Sequence, residues 1–263
     1  MWERLPIQRT RRGPSYSFIE REHTYELYED VQVKTWKSVP TGVKRWAQSL
    51  WQDGFKVRRN PANAEDILAW IPRKGVLLAK YGQWIGADRS TYMVYMCYNY
   101  VARDFRGEGV SEELVLSLCH ECTRRWGPVR FVFELQSVPR SLADATPIVR
   151  FSYVWVPFLS IQSPPRWTPV SVADTMKGLE RYHGFHTAQW AGYRAFEYKG
   201  MKIVLDPHND VVYYDDYTSL LTFDGIPISG AYCRVFSPLG GVRIYVENMY
   251  FEPETRFEHY LLV

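Results

Sequence analysis

Residues 93–127 read MVYMCYNYVARDFRGEGVSEELVLSLCHECTRRWG, an aromatic apolar run that passes through a short loop into an amphipathic pattern. The first part, Thr91–Ala102, reads as a long strand. The last part, Val110 to Trp126, reads as a helix with Leu114, Val115, Leu118, Cys119 and Cys122 on one face. Arg124 and Arg125 complement its dipole at the C-terminal end, and Gly127-Pro128 breaks it. Between them lies Arg106-Gly107-Glu108-Gly109-Val110-Ser111. A strand feeding a glycine-bearing loop at a helix N-terminus is an anion site, because backbone N–H groups converge there and the dipole adds positive charge. Gly107 and Gly109 let the backbone approach a ligand closely. Arg106 adds a charged fork. The spacing fits neither the P-loop nor the dinucleotide fingerprint.

Upstream, Pro40 opens a helix to Asp53, with Gly54 as its stop and a stripe of Val43, Trp46, Ala47, Leu50 and Trp51. Val31–Trp36 alternates like a strand. Asn60-Pro61 starts a second expected helix carrying Ile67, Leu68 and Trp70, stopped by Pro72. Val76–Lys80 and Gln83–Ile85 read as a hairpin around Tyr81-Gly82. Residues 1–15 form a basic arm.

Downstream, Val129–Leu135 and Ile148–Leu159 read as strands, the second interrupted by Pro157 and so an edge or a bend. Residues 163–169, SPPRWTP, read as a linker. Ser171 with Asp174 caps a helix to about Tyr182. His183-Gly-Phe-His186 reads as a turn at its end. Five strands follow: Tyr193–Tyr198, Met201–Leu205, Asp210–Tyr214, Tyr232–Phe236 and Val242–Glu247. Asp206–Asn209 is a turn between two of them, and no internal repeat stands out. The organisation expected is an arm over 1–39, a lobe over 40–162 and a shorter strand-rich lobe over 170–263. The class is α/β, with a mixed twisted sheet flanked by helices.

The 263 residues suffice for one large or two modest cores, and 46% hydrophobic against 23% charged residues excludes a disordered chain. A net charge of +3 gives no strong nucleic-acid signal. The cysteines at 97, 119, 122 and 233 show no disulfide framework, which fits a reducing, cytoplasmic setting. No apolar run approaches the ~20 residues of a membrane span. Cys119-His-Glu-Cys122 has half the spacing of a zinc site but no second pair, so no metal is expected.

The loop, with Arg106, Gly109 and Ser111 in register, resembles the pyrophosphate-binding loop of the GNAT acyl-CoA transferases, (Gln/Arg)-x-x-Gly-x-(Gly/Ala). The order of elements around it, over 40–162, is that of a GNAT acyl-CoA-binding lobe, and the resemblance implies that 170–263 is a reduced second GNAT-like lobe or a β-rich one. Within that superfamily, residues 15–160 are most similar to the N-terminal lobe of N-myristoyltransferase. Tyr16-Ser17-Phe18 matches a Tyr-x-Phe-Trp motif, with Ile19 in place of Trp. Ile67-Leu68-Ala69-Trp70-Ile71-Pro72 is similar to a Leu-Leu-Trp-Ala-Leu-x-Pro-Pro-Gly run. Cys97–Ala102, the loop, and the helix end Cys122-Thr123-Arg124-Arg125 follow the family's strand, loop and Ile-Thr-Arg-Arg. Val149–Tyr153 echoes a later Cys-Arg-Tyr-Trp-His-Arg strand.

The resemblance implies transfer of an acyl group, myristoyl or acetyl, from acyl-CoA to an amine such as a peptide or protein N-terminal glycine. It implies that Arg106, Gly107, Glu108, Gly109, Val110 and Ser111 hold the CoA phosphates, with Tyr16 and Phe18 in the cofactor site. The backbone N–H groups of Tyr98 and Asn99 form an oxyanion hole, and the carboxylate of Val263 is the base. Glu134 is a generic alternative base, and Tyr153 a proton donor to the thiolate. Glu108 and Gly109 stand where the family has Lys and Arg. That departure implies the alternative, a catalytically inactive GNAT-fold protein that binds an assembly partner.

Overall fold

The computed structural model describes residues 16–18, 24–85, 90–135, 142, 146–157, 166–176, 183–187, 190–214, 223, 230–236, 242–247, 249–251 and 260–262. In chain order these form β1 (Tyr16–Phe18), β2 (Gln32–Thr35), α1 (Thr41–Phe55), β3 (Ile67–Ile71), β4 (Gly75–Ile85), β5 (Ser90–Val101), α2 (Val110–Trp126) and β6 (Arg130–Leu135). There follow β7 (Thr146–Pro157), β8 (Thr168–Val170), α3 (Val172–Met176), β9 (His183–Thr187), β10 (Arg194–Tyr198), β11 (Met201–Leu205) and β12 (Val211–Tyr214). The last four strands are β13 (Gly230–Phe236), β14 (Val242–Glu247), β15 (Met249–Phe251) and β16 (Tyr260–Leu262).

One mixed sheet of 14 strands runs through both halves of the chain. It has the expected α/β character, but it also contains a repeat that the sequence hides. In the first half, β3, β4 and β5 are antiparallel, and a crossover through α2 brings β6 parallel to β5. In the second half, β10, β11 and β12 are antiparallel, and β13 lies parallel to β12. The halves then exchange strands. β14 lies between β6 and β7, and β7 lies between β14 and β13.

Alternate residues of the first-half strands feed two cores. Leu68, Trp70, Val76, Leu78, Met93, Tyr95 and Cys97 pack with Trp36 and with Ala47 and Trp51 of α1. Ile67, Ala69, Leu77, Val94, Met96, Phe131 and Phe133 pack with Leu114, Val115, Leu118, Cys119 and Cys122 of α2. Both faces of this part of the sheet are therefore covered, and β3 reads as a continuous apolar run. Residues 24–31 cross α2, where the Tyr28 N–H donates to Ser117 Oγ at 3.1 Å and His120 Nδ1 donates to the Tyr25 carbonyl at 2.9 Å.

Four expectations are corrected. The helix after Asn60-Pro61 is a turn followed by β3. Asn60 Oδ1 accepts from the Ala62 N–H and Asp66 Oδ2 from the Asn63 N–H, so side chains hold the backbone groups a helix would use. Ile67–Ile71 is then five consecutive buried residues, the pattern of a strand covered on both faces. Tyr81-Gly82 is no hairpin. Gly82 lies inside β4, opposite Met93 of β5 on one side and Thr187 of β9 on the other. The chain reverses earlier, at Pro72–Lys74, where the Lys74 N–H donates to the Ile71 carbonyl at 3.0 Å. Pro157 ends β7, opposite Gly230, and β7 is an inner strand rather than an edge. His183–His186 lies in β9, not at a helix end.

α1 also ends differently. Gly54 is inside the helix, and the left-handed C-terminal residue is Lys56 at φ 58°. A Cβ on Gly54 would overlap the Tyr100 ring, so this glycine gives room to an aromatic side chain on β5. One buried ion pair, Lys80 to Asp66 at 3.4 Å, ties β4 to the 60–66 turn. Burial pushes the Asp66 carboxyl up, against the opposing pull of Lys80.

At the end of α2, Glu121 accepts from Arg124 Nε at 2.8 Å and pairs with Arg125. The hydrogen bond from Arg124 is the leading cause that holds its carboxyl below the ordinary value of 4.5. A depressed carboxylate stabilises the fold above its unfolded value and loses that contribution as pH falls through the folded one. Glu121→Gln should therefore cost under about 1 kcal/mol near neutrality. In urea denaturation the gap between the two proteins should narrow steadily below pH 4.5.

Candidate active site

The loop forms as its residue types require. A single 3-10 turn, Arg103–Phe105, closes β5, and the Arg106 N–H donates to the Arg103 carbonyl at 3.3 Å. Gly107 and Gly109 then take φ of +90° and +85°, the left-handed region that disfavours a side chain. A Cβ at either would meet nothing within 4 Å, so the backbone conformation, not crowding, calls for glycine. Gly109 is the N-cap of α2, and its carbonyl accepts from the Glu112 and Glu113 N–H groups. Arg106 Nε donates to the Val101 carbonyl at 3.1 Å, and its guanidinium sits 5.8 Å from the Tyr100 ring centroid. Arg106 through Gly109 are exposed, Glu108 among them. Val110 is buried against the sheet and Ser111 is half-buried.

The strand that feeds this loop is irregular where the sequence points to Tyr98 and Asn99. Leu78 of β4 lies opposite Cys97, but Val76 lies opposite Tyr100. β5 thus carries one more residue than β4 across this step, a β-bulge. Tyr98 takes φ +54°, rare for an aromatic residue. On the other side, β6 pairs with β5 only from Met93↔Arg130 to Met96↔Phe133. The two parallel strands therefore stop pairing just before the bulge.

Three groups hold the bulge. Trp51 Nε1 of α1 donates to the Tyr98 carbonyl at 3.1 Å. The Tyr98 ring packs on Trp51 and Phe55, with centroids at 5.7 and 6.1 Å. The His208 ring, from the turn between β11 and β12, stacks on it at 5.6 Å. His208 Nδ1 lies 2.9 Å from the Phe55 carbonyl, which only accepts, so Nδ1 carries the proton and Nε2 is the basic nitrogen. The extra residue sends Asn99 toward the other face, where its Nδ2 donates to Ser111 Oγ of α2 at 2.6 Å. Its Oδ1 is buried with no hydrogen-bond partner. One side chain thereby links the bulge to the first turn of α2.

The structure brings Tyr98, Asn99, Arg106, Gly107, Glu108, Gly109, Val110 and Ser111 into one neighbourhood. Tyr16 and Phe18 lie on β1, which pairs with β15 through Tyr16↔Phe251 and Phe18↔Met249 in a separate two-stranded sheet. Val263 lies outside the described residues. Its neighbour Leu262 pairs with Phe185, and Phe185 with Trp84. Trp84 faces Thr91. From Thr91 to Tyr98 along β5 is roughly 20 Å. Glu134 lies opposite Ile244, and Tyr153 opposite Arg234. In the sequence Trp51 reads only as part of the α1 apolar stripe and His208 only as a turn residue, since neither has a local pattern that ties it to Tyr98. Among the described residues no group of three His, Cys, Asp or Glu side chains could hold a metal ion. Cys119 and Cys122 are buried in the α2 core and form no disulfide, and burial pushes the Cys122 thiol up. No helix among the described residues is long and apolar enough to cross a membrane.

No protein-family model and no curated protein matches the sequence. Solved structures do match the fold. A Saccharomyces cerevisiae N-myristoyltransferase with bound myristoyl-CoA and inhibitors aligns at TM-score 0.55 and 8% identity, over 100% of this chain and 95% of that one. In fold, this chain resembles N-myristoyltransferase. A second structure of the yeast enzyme, with bound myristoyl-CoA, gives TM-score 0.54 and 6% identity over 96% and 93% of the two chains. A GCN5-related N-acetyltransferase from Kribbella flavida aligns at TM-score 0.45 and 13% identity, over 82% and 71%. At these identities the likeness to N-myristoyltransferase is one of fold, and it spans both halves of the chain.

The Trp51 indole is the donor that secures the bulge carbonyl. Trp51→Phe keeps a ring in the core and removes that donor, so the expected loss is about 1–3 kcal/mol. Urea denaturation checks the size. An unchanged midpoint would show that the Tyr98 carbonyl does not depend on the indole.

Proposed function

We propose that this protein is a CoA-dependent N-acyltransferase, with acyl-CoA as co-substrate and an amine, such as a protein N-terminal glycine, as acceptor. The bulge at Tyr98–Asn99, set beside a glycine loop at a helix N-terminus, carries the reading. The loop N–H groups and Arg106 would hold the CoA pyrophosphate, where dipole and charge add. The place where β5 and β6 part would receive the pantetheine arm. The backbone N–H groups of the bulge would face the thioester carbonyl, whose oxygen gains negative charge as the amine attacks. The amine nitrogen forms a bond to the carbonyl carbon, the C–S bond breaks, and the thiolate leaves with the electron pair. A base takes the amine proton.

The family resemblance makes that base the carboxylate of Val263. The geometry favours His208, because its ring lies on Tyr98 and its Nε2 is the basic nitrogen. Myristoyl is the acyl chain that the fold likeness favours. The second reading is an inactive GNAT-fold protein that binds an assembly partner. Three carboxylates, Glu108, Glu112 and Glu113, stand at or near the α2 N-terminus, where they lower the attraction for a pyrophosphate.

Calorimetric titration with acetyl-CoA and with myristoyl-CoA separates the two readings. The acyltransferase reading expects myristoyl-CoA to bind, and Arg106→Glu to weaken it by roughly tenfold or more. A glycine-started peptide and mass spectrometry then test transfer. His208→Ala should slow turnover more than deletion of Leu262 and Val263 does. Heat from neither acyl-CoA would sink the enzyme reading.

A further inference from the structure

The joint between the two halves gathers positive charge beside the bulge. The segment after α1 runs along two turns of the second half. The Arg58 N–H donates to the Pro207 carbonyl at 3.0 Å, and the Ala191 N–H donates to Asn63 Oδ1 at 3.1 Å. Gly192, at φ +78°, lies so close that a Cβ there would stand 2.7 Å from the Asn60 carbonyl oxygen and 3.2 Å from Arg59 Cβ. Two residues on, Arg194 projects from the start of β10. Its Nη2 donates to Asn209 Oδ1 at 2.6 Å, and its guanidinium carbon lies 5.5 Å from the Phe196 ring centroid.

Arg58 and Arg59 thus run beside the two turns that flank Arg194, and their charges act on its guanidinium. Arg194 Nε is buried and has no hydrogen-bond partner. Burial first, then the charges of Arg59 and Arg58, hold the Arg194 guanidinium below its ordinary value. Among the described residues no carboxylate lies within ion-pair distance of any of the three. Like charges brought together around an unsatisfied buried donor are unfavourable unless an anion joins them. A monoanion would leave most of this charge uncompensated, whereas a phosphate dianion presents three acceptor oxygens to three guanidinium forks.

We infer that Arg58, Arg59 and Arg194 form a phosphate-binding site at the joint between the halves, and that it holds a phosphoryl group on the acceptor. The second clause rests on the acyl-transfer reading; the first does not. Pro207, which Arg58 touches, precedes His208, whose ring lies on Tyr98. The site is thus next to the bulge and separate from the loop at Arg106.

The test is titration of the full chain with inorganic phosphate, and in parallel with acetate, at constant ionic strength. Heat and the NMR signal of the Arg194 Nε–H are followed together. Phosphate is expected to saturate, to move the Arg194 signal, and to bind more tightly than acetate. The exposed pair change Arg58→Ala with Arg59→Ala should weaken phosphate by at least roughly tenfold. Arg106→Glu should leave it unchanged. Absence of saturation, equal affinity in the double variant, acetate binding as tightly as phosphate, or loss on Arg106→Glu would each overturn the site. Acyl-CoA titration of the double variant keeps the two ideas apart. Phosphate bound at the joint without any acyl-CoA binding overturns only the acceptor assignment.

Discussion

The Tyr98 backbone is the constraint on which the site depends. An aromatic residue in the left-handed region costs roughly 1–2 kcal/mol. The cost is offset by the Trp51 indole on its carbonyl and by aromatic packing from α1 and from His208. The single extra residue puts Cys97, Tyr98 and Tyr100 all against the α1 core. It also sends Asn99 to the α2 face, where it reaches Ser111. A regular strand would alternate through this stretch and could not make both contacts. The slip in register therefore joins the backbone proposed to face a thioester to the helix end proposed to face phosphates.

The exchange of β7 and β14 has a comparable effect at larger scale. Each strand lies within the other half's run of the sheet, so neither half completes its strand order alone. The second half in turn brings its β11–β12 turn against the end of α1. There the Pro207 carbonyl accepts from the Arg58 N–H and His208 Nδ1 donates to the Phe55 carbonyl. Both halves thus contribute to the surroundings of Tyr98, although the bulge itself belongs to the first.

What was legible in the sequence was what short-range pattern encodes. The run from β5 through the glycine loop into α2 was readable, because strand, left-handed glycines and an amphipathic helix each have local signatures. The segment from Asn60 to Ile71 misled, because Asn60 and Asp66 fold the chain into turns through side-chain bonds that helix periodicity ignores. Gly54 and Gly82 misled in the same way. Each looks like a stop or a turn, yet one gives room to the Tyr100 ring and the other pairs on both sides inside a strand. The repeat left no mark in residue identity because it consists of strand pairing; only the family resemblance pointed to a second lobe of the same kind. His208 had no local signal as a site residue, since Phe55 and Tyr98 lie more than a hundred residues earlier in the chain, and the same separation hid the approach of Arg58 and Arg59 to Arg194.

The central claim, that the bulge and the loop together receive acyl-CoA, is open to one direct measurement. Amide hydrogen exchange, read by mass spectrometry with and without myristoyl-CoA, reports on both backbones at once. The account predicts slowed exchange in peptides spanning 97–99 and 107–111 together. Slowing at neither stretch, or only in parts of the chain remote from both, would contradict it.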